Sequence, residues 1–122
     1  MDGSYLIISN SNELLRVSAN HIIYIKSDGN YSHIFQTGGE MRMVIEQLGD
    51  IERLIRQQLP AAIGNNLVRI GKSLIINIKY IYFIQVPKQK LILVDGQQNQ
   101  HTLSASKEAL KALKDLVEKN SL

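Results

Sequence analysis

Between Val68 and Ile81 a β-branched, largely aliphatic run is interrupted by Arg69, Lys72, Ser73, Asn77 and Lys79. The aliphatic positions demand burial, while the interleaved cations and short polar side chains demand a partner. Lysine and arginine pair with phosphates, and serine and asparagine reach phosphates or base edges, so such a run suits a polyanion. An ordinary strand with a solvated face has the same spacing, and spacing alone does not separate the two. With Lys107 further along, Arg69, Lys72 and Ser73 are the side chains best suited to a nucleic acid. Arginine would donate to guanine acceptors in a fork, and lysine would do so with a less rigid geometry.

Catalytic chemistry has little support. There is no G-x-S-x-G elbow, no His-x-x-x-His pair and no Walker-type glycine loop. His21, His33 and His101 are scattered and have no acidic cluster beside them, the usual pattern of surface or packing histidines. Asp28-Gly29-Asn30 lacks the further ligands and closing glutamate of a calcium loop, so it reads as a turn. Neither an enzyme nor a cofactor is expected. The absence of cysteine excludes disulfides and thiolate chemistry and fits a reducing compartment. Met1-Asp2-Gly3-Ser4 has no basic leader, and no apolar run reaches the length of a membrane span, so the expected location is the cytoplasm.

Charge is distributed unevenly. Residues 1–60 carry 5 Lys/Arg and 7 Asp/Glu, a net −2; residues 61–122 carry 9 and 4, a net +5. The run from Val68 and the C-terminal segment both lie in the basic half, the polarity a phosphate-facing surface needs. Only seven residues are aromatic, and most alternate with aliphatics, a poor fit to stacking on single-stranded bases.

The elements that must position these side chains follow from period and turn chemistry. At 122 residues, 44% of them hydrophobic, the chain suits one domain with its own core. Strands are predicted at Tyr5–Ser9 and Leu14–Val17 around Asn10-Ser11-Asn12, then at Ile22–Ser27 and Tyr31–Gln36 around Asp28-Gly29. Ser18-Ala19-Asn20 and Gly38-Gly39 read as turns. Ile45, Leu48, Ile51, Leu54 and Ile55 form one stripe of a helix spanning Val44–Gln58, ended by Pro60 and Gly64. Strands follow at Val68–Ile76, Tyr80–Val86, Leu91–Val94 and Gln100–Leu103, with turns at Pro87-Lys88 and Asp95-Gly96. Ser104 or Ser106 caps a last helix that buries Leu110, Leu113, Leu116 and Val117.

Three segments, in order and spacing, resemble the LytTR family of bacterial DNA-binding domains. The first is Ile22-Ile23-Tyr24-Ile25-Lys26-Ser27-Asp28-Gly29-Asn30-Tyr31, similar to the family's Ile-x-Tyr-Ile-Glu-Ala-x-Gly-Asn-Tyr. In the second, Arg69, Ser73, Asn77 and Ile81 match Arg-Val-His-Arg-Ser-Tyr-Leu-Val-Asn-Leu-x-x-Ile, with Ile75 and Ile76 as its aliphatic pair. The third, Leu103-Ser104-Ala105-Ser106-Lys107, resembles the closing Val-Ser-Arg. The resemblance spans residues 4–119 and implies a mainly β fold, an elongated stack of short antiparallel sheets with one internal and one C-terminal helix. It also implies a duplex-DNA-binding transcription regulator that reaches DNA with loops and strand ends.

By that resemblance the DNA contacts fall on Ser32, with His33 as its substitute, on Gly71, Lys72 and Ser73, and on Lys107. Arg69 fits either a phosphate contact or a framework role, and Asn77 a buried framework role. Gly71 replaces the usual His, Lys72 and Lys107 replace Arg, and Lys26 replaces an acidic residue. Charge is therefore kept while bidentate geometry is lost. The implied partners are double-stranded DNA in paired direct repeats, a second copy on that DNA, and a receiver domain or sensor kinase; no membrane partner is expected. A protein-interaction module of the same fold, without specific DNA binding, is the competing reading.

Overall fold

Hairpin chemistry builds the first layers. In the computed structural model, which describes residues 4–96 and 99–120, β1 (Tyr5–Ser9) and β2 (Leu14–Ser18) pair antiparallel with Leu6 opposite Val17. Asn10 Oδ1 closes their turn by accepting from the Asn12 and Glu13 N–H groups at 2.9 and 3.1 Å. β3 (Ile22–Asp28) and β4 (Tyr31–Gln36) meet at Asp28-Gly29, where Gly29 takes φ +62°. With β5 (Met41–Val44), β6 (Leu67–Ile70) and β7 (Leu74–Asn77) they form a five-stranded sheet, ordered β5-β4-β3-β7-β6. β8 (Ile81–Gln85), β9 (Lys90–Val94) and β10 (Gln100–Ser104) make a separate sheet, ordered β10-β9-β8. Every pairing is antiparallel. The mainly β architecture of short antiparallel sheets is as expected.

The five-stranded sheet is the middle layer. On one side Ile22, Ile25, Ile34 and Ile75 pack with Leu6 and Ile8 of the β1–β2 hairpin and with Leu48, Ile51 and Ile55 of α1 (Leu48–Gln58). On the other, Ile23, Tyr24, Leu74 and Ile76 pack with Leu91 and Leu93 of the three-stranded sheet and with Leu110 and Leu113 of α3 (Lys107–Asn120). Strict alternation would put Ile22 and Tyr24 on one face. A register shift in β3 between these residues redirects the strand, so Ile23 and Tyr24 share a core. Each fully buried aliphatic contributes about 1.5–3 kcal/mol relative to exposure, and both cores are made almost wholly of such residues.

Three elements differ from the sequence expectation. The helix starts at Leu48, four residues later than its apolar stripe suggests, because Met41–Val44 completes the sheet edge against β4. Ile45, counted in that stripe, is exposed. A one-turn helix, α2 (Ala61–Gly64), follows Pro60. The run Val68–Ile76 is a hairpin, β6 against β7, turned at Gly71, whose φ of +60° disfavours side-chain-bearing residues. Asn77 is buried, donating to the Ile22 carbonyl at 2.9 Å and accepting from the Lys79 N–H at 3.1 Å, so it is a framework residue. Ser106, and not Ser104, caps α3, its Oγ accepting from the Ala109 N–H at 3.1 Å. Residues 97–98 lie outside the described residues; on either side of them Asp95 accepts from both the backbone and the side chain of Asn99.

Candidate nucleic-acid interface

The β3–β4 hairpin, the β6–β7 turn and the end of β10 come together at one margin of the middle sheet. The Ser27 N–H donates to the Ser73 carbonyl at 2.9 Å, tying the end of β3 to the β6–β7 turn. A groove of about 200 Å³ is lined by Lys26, Ser73 and Leu74 together with Thr102, Leu103 and Ser104, which lead into α3. A second groove, about 360 Å³, is lined by Lys26, Ser27, Asp28, His33 and Phe35. Both contain Lys26.

Cross-strand register explains the arrangement. His33, Lys26 and Leu74 stand opposite one another across β4, β3 and β7. Directly paired residues share a face, and Leu74 belongs to the core beneath the three-stranded sheet and α3. Lys26 and His33 continue that row outward; Lys26 is exposed and His33 partly so. His33 Nε2 lies 3.1 Å from Asp28 Oδ2, and its ring stands beside Phe35. Behind it, Phe35 stacks on Tyr24 with centroids 4.3 Å apart, and His101 meets both edge-on. Burial pushes the Tyr24 phenol above its ordinary range.

The expected contact residues divide. Lys72, Ser73 and Lys107 are exposed, and neither Lys72 nor Lys107 has an ion pair among the described residues. Lys111 is exposed one helical turn after Lys107. Gly71 supplies the left-handed position of the turn, where no Cβ would meet a neighbour within 4 Å, so backbone conformation and not space favours glycine. Ser32, by contrast, is fully buried and its hydroxyl donates to the Glu46 carbonyl at 2.8 Å. It fixes the extended link between β5 and α1, and Gln47 in that link donates to Asn30 Oδ1 at 3.2 Å.

Arg69 is likewise engaged within the protein. Its Nη1 donates to Glu52 of α1 at 3.1 Å and its Nη2 to the Lys72 carbonyl at 3.2 Å. The guanidinium lines neither of the two grooves. Sequence reasoning passed over Lys26 as a site residue, and also the Asp28–His33 and Arg69–Glu52 pairs. An exposed lysine ending the apolar stretch Ile22–Ile25 was the one available sign for Lys26. Among the described residues, no three of His, Cys, Asp and Glu gather as metal ligands, and no helix is long and apolar enough to cross a membrane.

The family model for the LytTr DNA-binding domain matches residues 12–118. The chain belongs to this family. A similar solved structure is the LytTr DNA-binding domain from a Bacillus cereus protein assigned as a methyl-accepting/DNA response regulator. It superposes with a TM-score of 0.62 at 15% identity, covering 93% of this chain and 96% of that one, and shows the shared fold. A comparison with curated proteins gives no match.

Proposed function

We propose that residues 4–119 act as one unit that binds duplex DNA with sequence preference, as the output of a cytoplasmic transcription regulator. The observation that carries this reading is the meeting of the β3–β4 hairpin, the β6–β7 turn and the end of β10 at one margin, with Lys26, Lys72 and, just beyond β10, Lys107 exposed and without ion pairs among the described residues. Lys72 and Lys107 supply cations for phosphates and guanine acceptors, while Ser73 and His33 add hydrogen-bonding groups beside them. Gly71 shapes the turn that presents Lys72. Ser32 and Arg69 act as positioning residues, one holding the β5–α1 link and the other clamping the β6–β7 turn to α1. Compact lysines replace forked arginines, so affinity rests mainly on phosphates and discrimination on a few side chains and on DNA shape. Two copies bind paired direct repeats, and a receiver domain or sensor kinase supplies the signal.

Fluorescence anisotropy with a random-sequence duplex pool, followed by selection of the bound fraction, tests this. Salt-sensitive binding with enrichment of a repeated motif is the expected result. Absence of binding even at low salt would overturn it and favour the protein-interaction module.

A further inference from the structure

Lys26 is the one side chain that lines both grooves. Through the larger it adjoins His33, and through the smaller it adjoins Ser73 and Ser104. It therefore neighbours the β3–β4 hairpin, the β6–β7 turn and the end of β10, although it belongs to none of the loop tips. Its ammonium has no hydrogen bond or ion pair among the described residues. The carboxylate placed to neutralise it is Asp28, two residues along the same strand and therefore on the same face. Asp28 instead pairs with His33 at 3.1 Å. Lys26 itself is ion-paired to neither of them among the described residues, so its ammonium is available at this surface.

We propose that Lys26 holds a backbone phosphate of the bound duplex where the β3–β4 hairpin, the β6–β7 turn and the end of β10 adjoin; this rests on the DNA-binding reading above. Two features favour phosphate over a base edge. Lys26 rises from the sheet face and not from a turn, so it meets the rim of the duplex before the floor of a groove about 8.5 Å deep. A lysine ammonium is also a compact point charge without the fork that makes arginine a base reader. The flanking Ser73 and Ser104 hydroxyls, both on exposed residues, can donate to the same phosphate.

The test compares Lys26→Ala, Lys26→Arg and the control Lys119→Ala, which lies in the last turn of α3. Affinity is measured on the selected duplex and on random duplex across a salt series, with circular dichroism reporting the fold. Lys26→Ala should weaken both duplexes by the same factor and make the slope of log K against log salt shallower by about 0.9. Lys26→Arg should restore the slope, and Lys119→Ala should leave it unchanged. If the native chain binds while Lys26→Ala behaves like Lys119→Ala, Lys26 is not a contact and the DNA-binding reading stands. A loss confined to the selected duplex, with the slope kept, would assign Lys26 to a base and overturn the phosphate role. If the native chain binds no duplex, both readings fall together.

Discussion

The two faces of the middle sheet are built from the same strands, yet they treat polar side chains in opposite ways. On the α1 side, polar groups close upon the protein: Arg69 is held by Glu52 and by the Lys72 carbonyl. On the α3 side, the row that begins with buried Leu74 ends in exposed Lys26 and half-exposed His33, with Ser73 beside them. One face is closed because α1 and the β1–β2 hairpin cover it with aliphatics, while the three-stranded sheet and α3 stop short of Lys26 on the other. A cation is a candidate contact where the fold denies it an internal partner, and sequence position alone does not reveal that.

The largest effect should come from the closed face. Ile75→Ala, at a fully buried position, should lower the unfolding free energy by about 2–5 kcal/mol in urea denaturation. Duplex affinity of the fraction that remains folded should be unchanged, and a selective loss of binding would erase the contrast between the faces. Next come Lys72→Ala and Lys107→Ala. Each should leave the unfolding free energy from urea denaturation within about 0.5 kcal/mol of the native value and make the salt slope shallower by roughly one unit, the double variant by two.

Arg69→Ala sharpens the comparison further. As a clamp it should cost about 1 kcal/mol or less for the half-exposed pair and weaken duplex binding without altering the salt slope. Adding Glu52→Ala should bring little further change, because both act through one interaction. A slope change equal to that of Lys72→Ala would instead make Arg69 a phosphate contact.

The smallest effect concerns Tyr24. Its phenol holds its proton more tightly in the folded protein than at the ordinary value of 10.0. Its contribution to stability is therefore complete below about that pH and is lost as pH rises through the folded value. Tyr24→Phe should flatten the alkaline fall in stability, measured by denaturation between neutral and strongly alkaline pH, and leave duplex binding near neutrality intact.

Much of this molecule was legible as local chemistry. The apolar run Ile22–Ile25, the Asp28-Gly29 turn, the Leu110 and Leu113 stripe and a serine cap are each specified within a few residues, so their signals survive in one dimension. Where local signals conflicted, distant partners decided. Val44 and Ile45 continued a helical stripe, but β4 drew Met41–Val44 into the sheet. The aliphatics from Val68 to Ile76 read as one strand until Gly71 folded them into two, the second of which pairs with β3.

The sequence by itself determined most of the strands, the two main helices, the basic C-terminal half and the polar side chains available to meet a phosphate. Only the tertiary structure decided which of those side chains are engaged. Ser32 is held by Glu46, fourteen residues away, and Arg69 by Glu52, seventeen away, while Asp28, on the strand of Lys26, pairs across to His33. The physical reason is that hydrogen bonds and ion pairs are satisfied through space, whereas turn and period signals act along the chain.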